Sequence, residues 1–380
     1  GSSDDLVTLG TAVTAGTIDL ADGNDRLTLG AFNNTVTLAN IESVVGGASS
    51  DTITLSTAIT AGTIDLGAGT DSLTLGDFAN TLSVSGVESV IGGTDDDSVT
   101  IRTQITSGAI DLGSGDDVLT LGNFANSVTA SNVESIVGGT AADTVTLGAE
   151  ISGGTVDLGA GSDRLVLGDF ANVLTASNVE SINGGTSDDV VTLGAAISNG
   201  NIDLGAGDDT LTLGDFNNTL TVSNVETLTG GSSADSVRLG TAITAGTIDL
   251  GAGTDTLTLG NFANTLTVEN VENIIGGSSA DVVTAGTAIT AGTINLGSGS
   301  DTLVLGDFAN TLTVVSVETL TGGTDDDSVT FGAAVTAGTI DLGSGDDTVT
   351  LGNFNNTVTL SNVESINGGN LADRVTLGTA

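Results

Sequence analysis

Apolar and polar residues alternate in short runs along the whole chain. Leu211 and Leu213 alternate with Thr210 and Thr212, and Leu220/Val222 and Ile248/Leu250 repeat the pattern. A period of two is the signature of a half-buried β-strand. Glycines and Asn or Asp residues punctuate the runs and supply turns. The frequency of Gly and β-branched residues, with no period of 3.6, excludes helices. Strands this short cannot bury an inner face alone, so each coil must stack on the next to complete a core and its backbone ladder.

The phenylalanines set the period. Phe32, Phe78, Phe124, Phe170, Phe216, Phe262, Phe308 and Phe354 are each 46 residues apart. The same step carries Asn34 to Asn80 and on to Asn356, and Glu42 to Glu88 and on to Glu364, without insertion or deletion. Each unit divides into halves, such as Asp209 to Ala234 and Asp235 to Thr254, that open alike with Asp-x-apolar-x-apolar-Gly, so the Asp spacing alternates 26 and 20. These halves, read as coils, predict an all-β parallel β-solenoid of about sixteen coils, alternately 26 and 20 residues long, each advancing ~4.8 Å. The expected organisation is a single repeat domain, residues 1–380, of eight repeats and a partial one, cut from a longer array.

Charge changes this picture. There are 48 acidic residues against five arginines, a net charge of -43, and no Pro, Cys, Met, Trp, Tyr or His. Such an imbalance repels nucleic acid and anionic membranes. It strains a compact fold unless cations neutralise it. An apolar fraction of 38% in regular alternation argues against disorder. No apolar run is long enough for a membrane helix, so no membrane insertion is expected.

The glycine-rich loops carry the candidate chemistry. One set, exemplified by Leu250-Gly251-Ala252-Gly253-Thr254-Asp255, ends on Asp25, Asp71, Asp117, Asp163, Asp209, Asp255, Asp301 and Asp347. The other, exemplified by Gly276-Gly277-Ser278-Ser279-Ala280-Asp281, ends on Asp5, Asp51, Asp97, Asp143, Asp189, Asp235, Asp281, Asp327 and Asp373. Both resemble the calcium-binding nonapeptide of the RTX (haemolysin-type) repeat proteins, in a divergent double-coil version as in giant bacterial surface and adhesin arrays. The resemblance implies Ca²⁺ held between successive loops by backbone carbonyls and these Asp carboxylates. It departs from the family in that the first set has Leu where the motif begins with Gly, and the second lacks the later Gly. Physical reasoning agrees with the ion: Ca²⁺ takes six to eight oxygens, and a glycine loop aims several carbonyls at one point. The alternative is that the Asp carboxylates accept loop N–H groups in plain turns. Only one edge of the coil carries matching loops, so one row of ions is expected.

Three further rows recur. The phenylalanines read as core, about 10 Å apart in alternate coils. The Asn34 row reads as left-handed turn residues. The Glu42 row reads as a solvated face, with a second cation row or an acceptor for turn N–H groups as alternatives. T-x-T pairs such as Thr210/Thr212 raise recognition of ice or carbohydrate, but Arg26, Arg164, Val190, Arg238 and Val282 interrupt them. No His, Lys, Cys or Tyr is present to act as base or nucleophile, so an enzyme is not expected. The expected role is a secreted or bacterial cell-surface array: an adhesin, surface-layer or filament segment that stacks end to end or side by side on itself or continues in the same chain. A calcium-triggered secretion and folding module is the alternative, with a recognition module third.

Overall fold

The computed structural model describes residues 1–378, which contain β-strands and turns and no helix. Two compact units, Gly1–Val191 and Thr192–Ala380, are built on one plan.

In the first unit successive strands fall alternately into two parallel sheets. Arg26–Thr28 pairs with Leu6–Thr8 on one side and Ser43–Gly47 on the other. Thr35–Ala39, the next strand along the chain, pairs with Thr17–Asp19 and Thr52–Leu55 in the opposite sheet. Each turn therefore contributes one strand to each sheet, and the chain is a parallel β-solenoid of about 19 turns, close to the sixteen expected. In the second unit Thr210–Thr212 pairs with Thr227–Gly231 in one sheet, and Thr256–Thr258 with Asn273–Gly277 in the other.

The turn itself is shorter than the half-repeat. Arg26 is paired with Leu6 and with Ser43, and Ser43 with Thr63, so stacked residues are 20 or 17 apart rather than 26 and 20. Five strands fill one repeat: Arg26–Thr28, Thr35–Ala39, Ser43–Gly47, Thr52–Leu55 and Gly62–Gly67, before the pattern resumes at Ser72–Thr74. Five is odd and a turn uses two. Equivalent strands of neighbouring repeats thus land in opposite sheets: Arg26–Thr28 and Val118–Thr120 in one, Ser72–Thr74 and Arg164–Val166 in the other.

The alternating side chains do what their period predicts. Leu27, Val44, Ile64, Leu73, Leu119 and Leu165 point inward and are buried, while Thr28, Thr63, Ser72 and Thr120 lie on the outer face. Each inward Leu, Ile or Val removed from water contributes about 1.5–3 kcal/mol, which offsets the ordering of its short strand.

The phenylalanine row is not core. Phe32 is 37% and Phe124 is 42% exposed, and the six others of the row are half-buried. Each ring lies against the glycine two residues before it, as Phe32 does on Gly30, whose φ of 74° sets the turn. Phe32 lies between Arg26–Thr28 and Thr35–Ala39, whereas Phe78 lies between Ser72–Thr74 and Thr81–Ser85, so successive rings sit on opposite edges instead of stacking. The ninth phenylalanine, Phe331, is the buried one, at 3% exposure in the strand Ser328–Phe331.

Candidate metal centre

At four of the five corners of a repeat a backbone N–H finds no acceptor in the sheet ladder; at the fifth, the Glu42 N–H donates to the Asp25 carbonyl. A buried N–H needs an acceptor. At those four corners the acceptor is a side chain from the next turn, and the four follow in a fixed order, Asn, Asp, Asp and Glu. In the first unit the Ile59 N–H donates to Asn80 Oδ1 (3.0 Å), the Asn80 N–H to Asp97 Oδ1 (2.9 Å), the Asp97 N–H to Asp117 Oδ1 (2.6 Å), and the Asp117 N–H to Glu134 Oε2 (2.9 Å). The next turn has an Ile-centred corner at Ile151, whose N–H starts a new ladder on Asn172 (3.1 Å).

The opposite edge carries the same ladder. There Ile105 donates to Asn126, Asn126 to Asp143 (2.9 Å), Asp143 to Asp163 (2.6 Å) and Asp163 to Glu180 (2.8 Å). The second unit repeats both, through Asn218, Asp235, Asp255 and Glu272 at one edge and Asn264, Asp281, Asp301 and Glu318 at the other. The carboxylates therefore form two rows, not the single row expected, because the odd strand count moves each repeat to the other edge.

Of the sequence-predicted residues, Asp25, Asp51, Asp71, Asp97, Asp117, Asp143, Asp163, Asp189, Asp209, Asp235, Asp255, Asp281, Asp301, Asp327 and Asp347 are all buried, at 0–3% exposure. Asp373 is half-buried and receives the Asn356 N–H (3.1 Å). Two rows assigned other roles join these ladders. The Asn34 row is not left-handed: positive φ belongs instead to Asn40, Asn132, Asn178, Asn224, Asn270 and Asn362. Asn34 is buried, accepts the Val13 N–H (3.0 Å), and donates Nδ2 to Phe32 O and Asp51 Oδ1 (2.8 Å each). The Glu42 row is not a solvated face. Glu42, Glu88, Glu272 and Glu364 each accept the N–H of an Asp at 2.8 Å. The acceptor role was legible as an alternative; the 17-residue step that creates it was not.

The electrostatics follow from the geometry. Each ladder Asp uses Oδ1 as acceptor. The Oδ2 atoms of Asp25, Asp51, Asp71, Asp97, Asp117, Asp163, Asp235, Asp255, Asp281, Asp301, Asp327 and Asp347 are buried without a hydrogen-bond partner. Burial pushes Asp71, Asp117, Asp163 and Asp255 up to about 6; the N–H of the preceding Asp opposes this, and the carboxylates on either side add to it. Asp97, Asp235, Asp281 and Asp327 are raised by burial too, but their Asn partners pull the other way.

Do these residues fit Ca²⁺? Among the described residues no three acidic side chains converge on one point, so an ion would draw mainly on backbone carbonyls. The loops provide them. The site a Cβ would take on Gly253 lies 2.9 and 3.0 Å from the two Asp255 carboxylate oxygens and 3.0 Å from Ser233 O of the preceding turn. The matching position on Gly299 lies 2.7 Å from Ser279 O and 2.8 Å from Asp301 Oδ1, and that on Gly161 lies 2.7 Å from Asp163 Oδ1 and 2.9 Å from Ala141 O. Glycine thus lets carboxylate and carbonyl oxygens of successive turns crowd the loop backbone, where Asp163, Asp255 and Asp301 each keep an orphaned Oδ2. That donor chemistry suits a hard cation.

No family model matches the chain, and no curated protein matches it. Among solved structures the chain is similar to a hyperactive, Ca²⁺-dependent, β-helical antifreeze protein from an Antarctic bacterium, at 19% identity over 90% of this chain and 85% of that one, with a TM-score of 0.16.

Proposed function

We propose that the chain is a calcium-stabilised structural segment of a secreted or cell-surface array, an adhesin, surface-layer or filament repeat, whose solenoid serves as a spacer. The observation that carries this reading is the pair of buried carboxylate ladders with orphaned oxygens. A row of desolvated carboxylates about 4.8 Å apart repels itself unless a cation lies among them. Asp and loop carbonyls of the Asp255, Asp301 and Asp163 type would hold the ion, and bound Ca²⁺ would supply the positive charge that the five arginines cannot. With 48 acidic residues, metal-free chain is disfavoured in its compact form. Extracellular Ca²⁺ then drives folding by binding the folded state alone. The same property lets the segment cross a membrane unfolded before it sets outside, so the secretion-linked reading describes the same chain at an earlier moment.

The test is circular dichroism and thermal melting of the chain in chelator and in millimolar Ca²⁺. The proposal expects β-structure and a higher Tm with calcium. Superimposable spectra and melting curves would refute it.

A further inference from the structure

We propose that the calcium ions are confined to the middle rung of each ladder, the Asp71, Asp117, Asp163 and Asp255 type, and that the rung before it, the Asp97, Asp143 and Asp235 type, binds none. This rests on the calcium reading above and deepens it. The loops that end on the two kinds of Asp carry comparable shares of the calcium motif, so the sequence makes no such division.

The division comes from the neighbours on the ladder. The rung before the middle is served by an Asn. Asp97 Oδ1 takes both the Asn80 N–H and Nδ2 at 2.9 Å, and Asp143 Oδ1 takes the same two donors of Asn126 at 2.9 Å. The second oxygen of Asp143 also faces the N–H of Gly139 in its own loop, at 3.3 Å. Such a carboxylate has its charge spread over amide donors. The middle rung has one donor only: Asp117 Oδ1 receives the Asp97 N–H, and no amide side chain reaches it. Its neighbours on the ladder are Asp97 on one side and Glu134 on the other, both acidic. The loop glycines do not divide the two rungs: Gly322 lies against Asp327 Oδ2 at the Asn-served rung, as Gly161 lies against Asp163 and Ala141 O and Gly253 against Asp255 and Ser233 O at the middle rung. A cation at the middle rung meets a carboxylate, a carbonyl and two flanking negative charges. At the Asn-served rung the Oδ2 of Asp97 or Asp235 is orphaned as well, but the carboxylate already holds two amide donors on Oδ1 and has one acidic ladder neighbour in place of two.

The consequence is about one ion per 46-residue repeat, at alternate edges, where use of every Asp would give about two. The experiment is equilibrium dialysis of the full chain against Ca²⁺, with the bound metal counted by atomic absorption. It compares the parent, a middle-rung variant (Asp117→Asn, Asp163→Asn, Asp255→Asn) and an Asn-served variant (Asp97→Asn, Asp143→Asn, Asp235→Asn). Circular dichroism at saturating Ca²⁺ accompanies each. The proposal expects a loss of about three ions in the first variant and none in the second. Loss from the second variant while it retains its β-structure, or equal loss from both, overturns the assignment and leaves calcium binding standing. A parent that binds no calcium overturns both. Should the middle-rung variant unfold, the parent count of one or two per repeat and the Asn-served variant still decide.

Discussion

The Asp71 carboxylate receives the backbone N–H of Asp51 at 2.6 Å through one oxygen and buries the other without a hydrogen-bond partner. The same residue is thus a structural cap and a source of electrostatic strain. Which property dominates depends on what neutralises the second oxygen, and that makes the fold's stability a function of solution conditions.

Without calcium the solenoid is expected to gain stability on mild acidification. Asp71, Asp117, Asp163 and Asp255 titrate near 6 when folded, against 3.8 in the unfolded chain, chiefly because they are buried. The folded form therefore holds protons that the unfolded form has released. This stabilisation is fully present below 3.8 and is lost as pH rises through about 6. Melting in chelator at pH 5 and pH 7.5 should show a Tm higher at pH 5 by roughly 5 °C or more. A Tm that rises toward neutrality would contradict it.

Glu134 tests charge against hydrogen bonding. Its Oε2 accepts the Asp117 N–H, so Glu134→Ala leaves a buried donor unmet and should cost about 1–3 kcal/mol. Glu134→Gln keeps an acceptor and removes a like charge beside Asp117. In chelator at neutral pH it should melt at or above the parent, while Glu134→Ala melts below it.

The two kinds of asparagine should answer differently to substitution. Asn126 accepts the Ile105 N–H and donates to Phe124 O and Asp143, so Asn126→Ala should cost about 2–3 kcal/mol. Asn132 has φ of 53°, and Asn132→Gly keeps that conformation. Denaturant melts should place Asn132→Gly near the parent and Asn126→Ala well below it.

Close backbone approach between turns makes Gly113 hard to replace. Its φ is 92°, and a Cβ there would collide with the Gly93 carbonyl oxygen of the preceding turn. Gly10 has nothing within 4 Å of an added Cβ. Gly113→Ala should lower the Tm by several degrees and Gly10→Ala should leave it unchanged, on the ordinary scale of one kcal/mol for a few degrees.

The strands and their inner faces were legible in the sequence because Leu211 and Leu213 against Thr210 and Thr212 is a period-two pattern that only one face can satisfy. The repeat was legible because Phe32 and its equivalents recur without a slip. The turn was not, because the eye takes the half-repeat from Asp209 to Asp235 as a structural unit, whereas stacking joins residues 17 or 20 apart. That step is what brings Asn80, Asp97, Asp117 and Glu134 into one column. In the sequence they belong to four unlike contexts, and nothing local marks them as neighbours. Phe32 misled for a related reason: an aromatic in a Gly-rich chain suggests core, but its turn is already closed by Asn34, and the ring is left to cover Gly30 from outside.

Five strands per repeat has a further meaning for how such a chain can grow or shrink. Within each unit, moving on by one repeat acts as a screw operation that exchanges the two sheets, so the two broad surfaces are chemically the same and neither is a front or a back. Only two repeats together restore the original facing. Deleting a single repeat inside a unit would leave every ladder bond available to re-form but would bring all that follows round to the other side. Whatever such a segment carries would then be presented in the opposite direction according to whether the number of repeats before it is odd or even.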